Sequence, residues 1–113
     1  MLGPYSSGMT KAIAPVSEKF GVPMIEAEGA SRSLFTQGYK YLFAVLSTTD
    51  LYLPGSVHFA ADQKKSIGKS PSDTKVAMAF EGDPFSMDIR AGLVDLIKEY
   101  GMKIIIDDQL PVS

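Results

Sequence analysis

The segment Leu2-Gly3-Pro4-Tyr5-Ser6-Ser7-Gly8 sets two hydroxyls among small residues, just before an amphipathic run. At a helix start the first N–H groups lack helical partners and the dipole is positive, so this pattern predicts a carboxylate site with Ser6 and Ser7 as hydroxyl donors. The competing reading is a serine that merely caps its own helix. The segment lacks the Gly-Lys-Ser/Thr ending of a phosphate-binding Walker loop, and Gly-Pro-Tyr-Ser-Ser-Gly is not a Gly-x-Ser-x-Gly nucleophile elbow. A second candidate is Glu28-Gly29-Ala30-Ser31, which follows an apolar run of strand length and so falls at the same carboxyl edge, where open α/β sheets bind ligands. An ordinary turn explains those residues equally well. Phe85, just past Asp83-Pro84, is the third: a ring at a strand-to-helix junction either covers the apolar part of a ligand or joins the core.

Other chemistry is poorly supplied. With no cysteine and a single histidine, His58, the chain offers no disulfide, no thiolate and no zinc site of the usual kind, and no metal or cofactor is expected. A serine hydrolase would have to recruit His58 as base with Asp50 or Asp107 to orient it, and no spacing supports that set, so the chain does not read as an enzyme. Asp107 and Asp108 resemble the acidic pair of response-regulator receivers, but no later strand brings the lysine that pocket needs. Eleven Lys and Arg against thirteen Asp and Glu give a net charge of -2, which provides no basic field for nucleic acid or an anionic membrane. No apolar run approaches the roughly 20 residues of a membrane helix. Met1 to Gly8 has no basic segment followed by a long apolar run, so no signal peptide is read and the sequence as it stands predicts a cytoplasmic chain.

The elements that must position these residues alternate. Asp83 as cap, Pro84 at the first helical position and Gly101 at the exit predict a helix, with Ile89, Leu93, Leu96, Ile97 and Tyr100 on one core-facing stripe. Val76 to Phe80 and Met102 to Asp107 flank it as strands, the second with three consecutive Ile as expected of a strand covered on both faces. An earlier helix, Ser7 to Phe20, puts Met9, Ile13, Val16 and Phe20 on one stripe, with Pro15 predicting a kink or a late start. Strands are expected at Pro23 to Ala27 and Tyr41 to Leu46, one helical turn between Glu28 and Gly38, a helix from about Pro54 to Lys65, and a surface loop over Ser66 to Thr74. Met1 and Leu2 read as the end of a further strand. With 113 residues, 45% of them hydrophobic, the chain is predicted to be α/β, built of three-layer βαβ units with mainly parallel sheets and right-handed crossovers.

Two stretches carry a family resemblance: LGPYSSGMTKAIAPVSEKFGVPMIEAEGASRSLFTQGYKYLFAV and KVAMAFEGDPFSMDIRAGLVDLIKEYGMKIIIDDQLP. With GPYSS, GVPMIEA and GYKYLF in that order and spacing, the chain resembles the branched-chain amino-acid (leucine/isoleucine/valine) type of ABC-transporter substrate-binding proteins. The resemblance covers nearly the whole chain and is weakest over Leu51 to Thr74. It implies a type I periplasmic-binding fold, in which two α/β lobes joined by crossing strands close over a ligand without covalent chemistry. The chain then looks like a middle slice: residues 1–46 as part of the first lobe, 47–51 as a hinge crossing, and 52–113 as the opening of the second lobe.

Residue by residue, the family's ligand-holding hydroxyl falls on Ser7 with Ser6 adjacent. Its loop carbonyl and Thr hydroxyl fall on Glu28 and Ala30, across Gly29; the Thr is missing and Ser31 is the nearest replacement. The second-lobe aromatic, often Tyr, falls on Phe85. The implied partners are an amino acid or related carboxylate and, for a parent protein at the cell surface or in the periplasm, an ABC permease. Exposed sheet edges in such a slice favour a homo-oligomer by edge pairing or swapping, which is the alternative role: a self-associating structural unit without ligand binding, with a small α/β enzyme dependent on His58 or Ser6 ranked last.

Overall fold

The computed structural model describes residues 1–112. Helix α1, Ser7–Phe20, starts where Ser6 accepts a hydrogen bond from the Met9 N–H and stops where Gly21, at φ 63°, takes the left-handed conformation that closes the last turn. Of the kink or late start expected from Pro15, the late start does not occur. The carbonyl that Pro15 leaves without an N–H partner belongs to Lys11, and both residues are exposed, so water satisfies it at little cost.

Strand β1 is Met24–Glu26, followed by the single turn α2, Arg32–Phe35, and strand β2, Leu42–Ala44. β1 and β2 pair in parallel, Met24 opposite Leu42, and Leu2 bridges to Ile25 on the other side of β1, as a strand ending at Leu2 requires. A short 3-10 turn, Thr49–Leu51, leads to helix α3, Pro54–Ser66. After a second 3-10 turn come strand β3, Lys75–Glu81, helix α4, Pro84–Glu99, and strand β4, Lys103–Leu110. β3 and β4 are parallel, with one irregularity between Val76 and Ala77. The described strands therefore form two parallel sheets in a mixed α/β chain.

The two sheets are buried by different means. Against β3–β4, the core is Val57 and Ala61 of α3, Ile97 of α4 and Met102, with Leu93, Leu96, Tyr100, Val76, Met78 and Ile104 packed on it. Leu93, Leu96, Ile97 and Tyr100 of the stripe expected of α4 are there, and Ile89 is not among them. The Ile run of β4 departs from expectation: Ile105 is 58% and Ile106 47% exposed, because the described helices cover one face of this sheet and leave the other open.

α1 departs further. Its apolar stripe does not face the core: Met9, Val16 and Phe20 are 52–70% exposed, while Ser7, Thr10, Ala14 and Ser17 are buried. What draws that small, polar face inward is Glu26 at the end of β1, fully buried, whose carboxylate accepts from the Thr10 hydroxyl at 2.6 Å and from the N–H groups of Glu28 and Gly29 at 3.0 and 2.8 Å. A buried carboxylate without such donors is very costly, so its donors must face it. Gly3 and Gly29 fit the same requirement, since a Cβ at Gly3 would overlap the Glu26 carboxylate and one at Gly29 the Thr10 hydroxyl.

The molecule is long, 57 × 27 × 19 Å, with a radius of gyration of 17.1 Å. A compact chain of this length has about 13 Å.

Candidate ligand cleft

The N-termini of α1 and α4 open onto one cleft of about 980 Å³. From the first half it is lined by Tyr5 to Gly8, Ala27, Glu28 and Leu46, and from the second by Tyr52, Glu81 to Ser86 and Val112. Ser6, Ser7, Glu28 and Phe85, taken from the sequence as ligand contacts, thus lie on one cleft. Gly29, Ala30 and Ser31 are not among its lining residues. Ala30 and Ser31 are fully buried next to it, and the Ser31 N–H donates to Ser7 Oγ at 3.1 Å, so the loop holds a lining residue from behind.

The two helix starts differ electrostatically. At α4 the Asp83 carboxylate accepts from the N–H groups of Phe85 and Ser86 at 2.8 and 3.3 Å. Burial pushes its carboxyl up, but hydrogen bonds from Ser86 and Phe85 outweigh that and hold it below the usual carboxylate range. The positive end of α4 is therefore neutralised from within. At α1 the cap is the neutral Ser6, which takes the Met9 N–H, and the Thr10 N–H bonds the Ser6 carbonyl. Among the described residues, the Ser7 and Gly8 N–H groups have no acceptor, which leaves a helix start with its partial positive charge uncompensated.

Phe85 meets Tyr52 edge to face, ring centroids 5.8 Å apart, giving the cleft an aromatic corner. Tyr52 was missed in the sequence because nothing in Leu51-Tyr52-Leu53 shows that the chain turns back there against the start of α4. Glu28, Glu81 and Asp83 put three carboxylates on the lining, and no Lys or Arg joins them among the described lining residues.

His58 lies away from the cleft, its Nδ1 2.9 Å from the Tyr100 hydroxyl, and Asp107 is paired with Arg90, so the triad considered from sequence is not assembled. Among the described residues no cluster of His, Asp and Glu suits a metal ion, and no helix is long and apolar enough to cross a membrane.

No family model matches the chain. Solved structures do. An ABC transporter substrate-binding protein from Desulfitobacterium hafniense in complex with Leu aligns over 99% of this chain and 30% of its own, with a TM-score of 0.73 and 16% identity. A solute-binding protein of an ABC transporter from Rhodopseudomonas palustris BisB5, in complex with 3,4-dihydroxybenzoic acid, aligns over 97% of this chain and 28% of its own, with a TM-score of 0.79 and 19% identity. A solute-binding protein from R. palustris in complex with 4-hydroxybenzoate gives a TM-score of 0.79 at 21% identity, over 97% and 27% of the two chains. The chain spans under a third of the length of each of these proteins, and within that span it has the fold of an ABC-transporter substrate-binding protein, a partial type I periplasmic-binding fold.

Proposed function

We propose that the chain is the cleft-bearing section of an extracytoplasmic solute-binding receptor for ABC-type uptake, and that it takes an amino acid or a related small carboxylate. Residues 1–46 act as part of one lobe, 47–51 as a crossing, and 52–113 as part of the other; the parent protein hands its ligand to a permease after the lobes close. The observation that carries this reading is the unequal pair of helix starts on one cleft. The ligand carboxylate sits at the Ser7 and Gly8 N–H groups with the hydroxyls of Ser6 and Ser7, its apolar part against Phe85 and Tyr52, and an ammonium toward Glu28, Glu81 and Asp83. Gly29, Ala30 and Ser31 hold that wall. The acidic lining with no cation favours a zwitterion over a plain aromatic carboxylate such as those in the R. palustris complexes.

Amide chemical-shift titration of the whole chain with L-leucine and with 4-hydroxybenzoate tests this. Millimolar leucine is expected to move the Ser7, Gly8 and Phe85 resonances, and 4-hydroxybenzoate to move them less. Shifts with neither probe overturn the reading; equal shifts with both remove the ammonium site.

The exposed stripe of Met9, Val16 and Phe20 and the open sheet edges favour a second reading, association with another copy of the chain. Light scattering after gel filtration decides it: a dimer or larger supports it, a 12 kDa monomer at micromolar concentration removes it.

A further inference from the structure

Helix α2 has four residues, and its own N-cap, Ser31, makes no side-chain capping bond. The acceptor it lacks comes from the other half of the chain. Asp88 of α4 accepts from the Ser33 N–H at 3.0 Å and, with the same oxygen, from the Ser31 hydroxyl. Ser31 in turn donates its N–H to Ser7 Oγ, so a continuous hydrogen-bonded path runs from α4 through Ser31 to the lining residue Ser7. Two further ties converge on the same loop: Thr49 N–H to the Ala30 carbonyl at 3.0 Å, and Arg32 to Asp50 at 2.9 Å. The Thr49–Leu51 turn is itself pressed under α4, since a Cβ at Gly92 would overlap the Asp50 carbonyl oxygen.

These contacts do different work. The Thr49 and Arg32 ties join residues 19 and 18 positions apart and do not reach α4. The Asp88 bonds span 55 and 57 positions and join α4, which carries Phe85, to the half that carries Ser6 and Ser7. Any widening of the cleft that carries α4 away from the half bearing Ser6 and Ser7 would break the Asp88 bonds and uncap α2.

We infer that Asp88 is a positioning residue, a latch that holds the two walls of the cleft at the separation seen here by capping α2 from across the junction. Its bearing on ligand capture rests on the function proposed above, but the latch itself is tested without ligand. The chain contains no cysteine, so Lys11→Cys and Glu99→Cys, both at exposed positions on α1 and α4, allow two nitroxide labels to be placed uniquely. Pulsed electron resonance then reads the separation of the halves.

The otherwise unaltered labelled chain and an Asp95→Ala control, at an exposed acid of the same helix, are expected to give one narrow distance distribution. Asp88→Ala is expected to give a broad distribution shifted to longer distance. Asp88→Asn, which keeps one acceptor oxygen, should fall between, and Gly92→Ala should broaden it by wedging α4 off the turn. An unchanged distribution in Asp88→Ala overturns the latch. Loss of helical circular dichroism in Asp88→Ala also overturns it, because Asp88 would then be needed for folding and not for positioning. Absence of leucine binding together with the expected distance changes leaves the latch standing and removes only the function proposed above.

Discussion

The two halves of this chain solve the same problem with opposite materials. In the second half, α3 and α4 cover β3–β4 with aliphatic side chains around Ile97, and burial follows the apolar stripe. In the first half, α1 lies against β1 through Ser7, Thr10, Ala14 and Ser17 around the buried Glu26, while its apolar residues face outward. An apolar core is non-directional and tolerates small shifts, whereas a buried carboxylate with three donors demands particular distances. The half with the directional network is also the half that offers the uncompensated helix start to the cleft, the position proposed above for a ligand carboxylate.

The sharpest way to break this contrast is to cut each core at its centre. Ile97→Ala is expected to destabilise the chain by about 2–5 kcal/mol, the usual range for emptying a fully buried aliphatic site, read as a lowered urea midpoint at unchanged slope. An effect below about 1 kcal/mol would deny that the second half depends on packing.

Glu26→Gln comes next. The amide cannot accept all three hydrogen bonds, and the loss is expected to be about 1–3 kcal/mol with faster hydrogen exchange at the Glu28 and Gly29 amides. Unchanged exchange at those two amides would show that the network does not order the loop.

Asp83→Ala is expected to cost about 1 kcal/mol through the lost cap of α4. Acid sharpens the same point. Asp83 is held low as described above; hydrogen bonds from Thr48, then Arg32, hold Asp50 low; and Arg90 does so for Asp107. A depressed folded pKa gives stability that is present above the ordinary carboxylate value of about 4 and lost as pH falls through the folded values. Unfolding monitored from pH 6 to pH 2 should therefore show a midpoint that falls below about pH 4, with a shallower fall in Asp83→Ala. A midpoint that rises on acidification contradicts all three assignments.

The smallest effect is expected on the outward stripe. Phe20→Ser should change stability by no more than about 0.5 kcal/mol, because its side chain is largely in water already. A loss above 1 kcal/mol would mean that this stripe is covered in solution, which a concentration-dependent midpoint would attribute to a second copy.

Local chemistry made most element boundaries legible. Ser6, Gly21, Asp83, Pro84 and Gly101 are capping residues whose preferences act over three or four neighbours, and α1 and α4 begin where those preferences predict, while α3 begins at Pro54, a residue suited to the first helical position. β1, β2 and β4 differ from their expected ends by one to three residues, as pairing rather than propensity sets where a strand stops. The candidate site was legible in part for the same reason. Ser6, Ser7, Glu28 and Phe85 stand at strand ends and helix starts, positions that parallel topology brings to one edge.

What the sequence by itself determined is therefore the alternation of elements, their caps and the edge on which the candidate residues gather, since each depends on neighbours a few positions away. Only the tertiary structure decided that α1 buries its polar face, that Glu26 is the pivot of the first half, that Tyr52 stands against Phe85, and that Ser31 is held by Asp88. Each of those facts turns on a partner 16 to 57 positions away, and a side chain's hydrogen-bonding or packing energy is realised only when the fold delivers that partner to within contact distance.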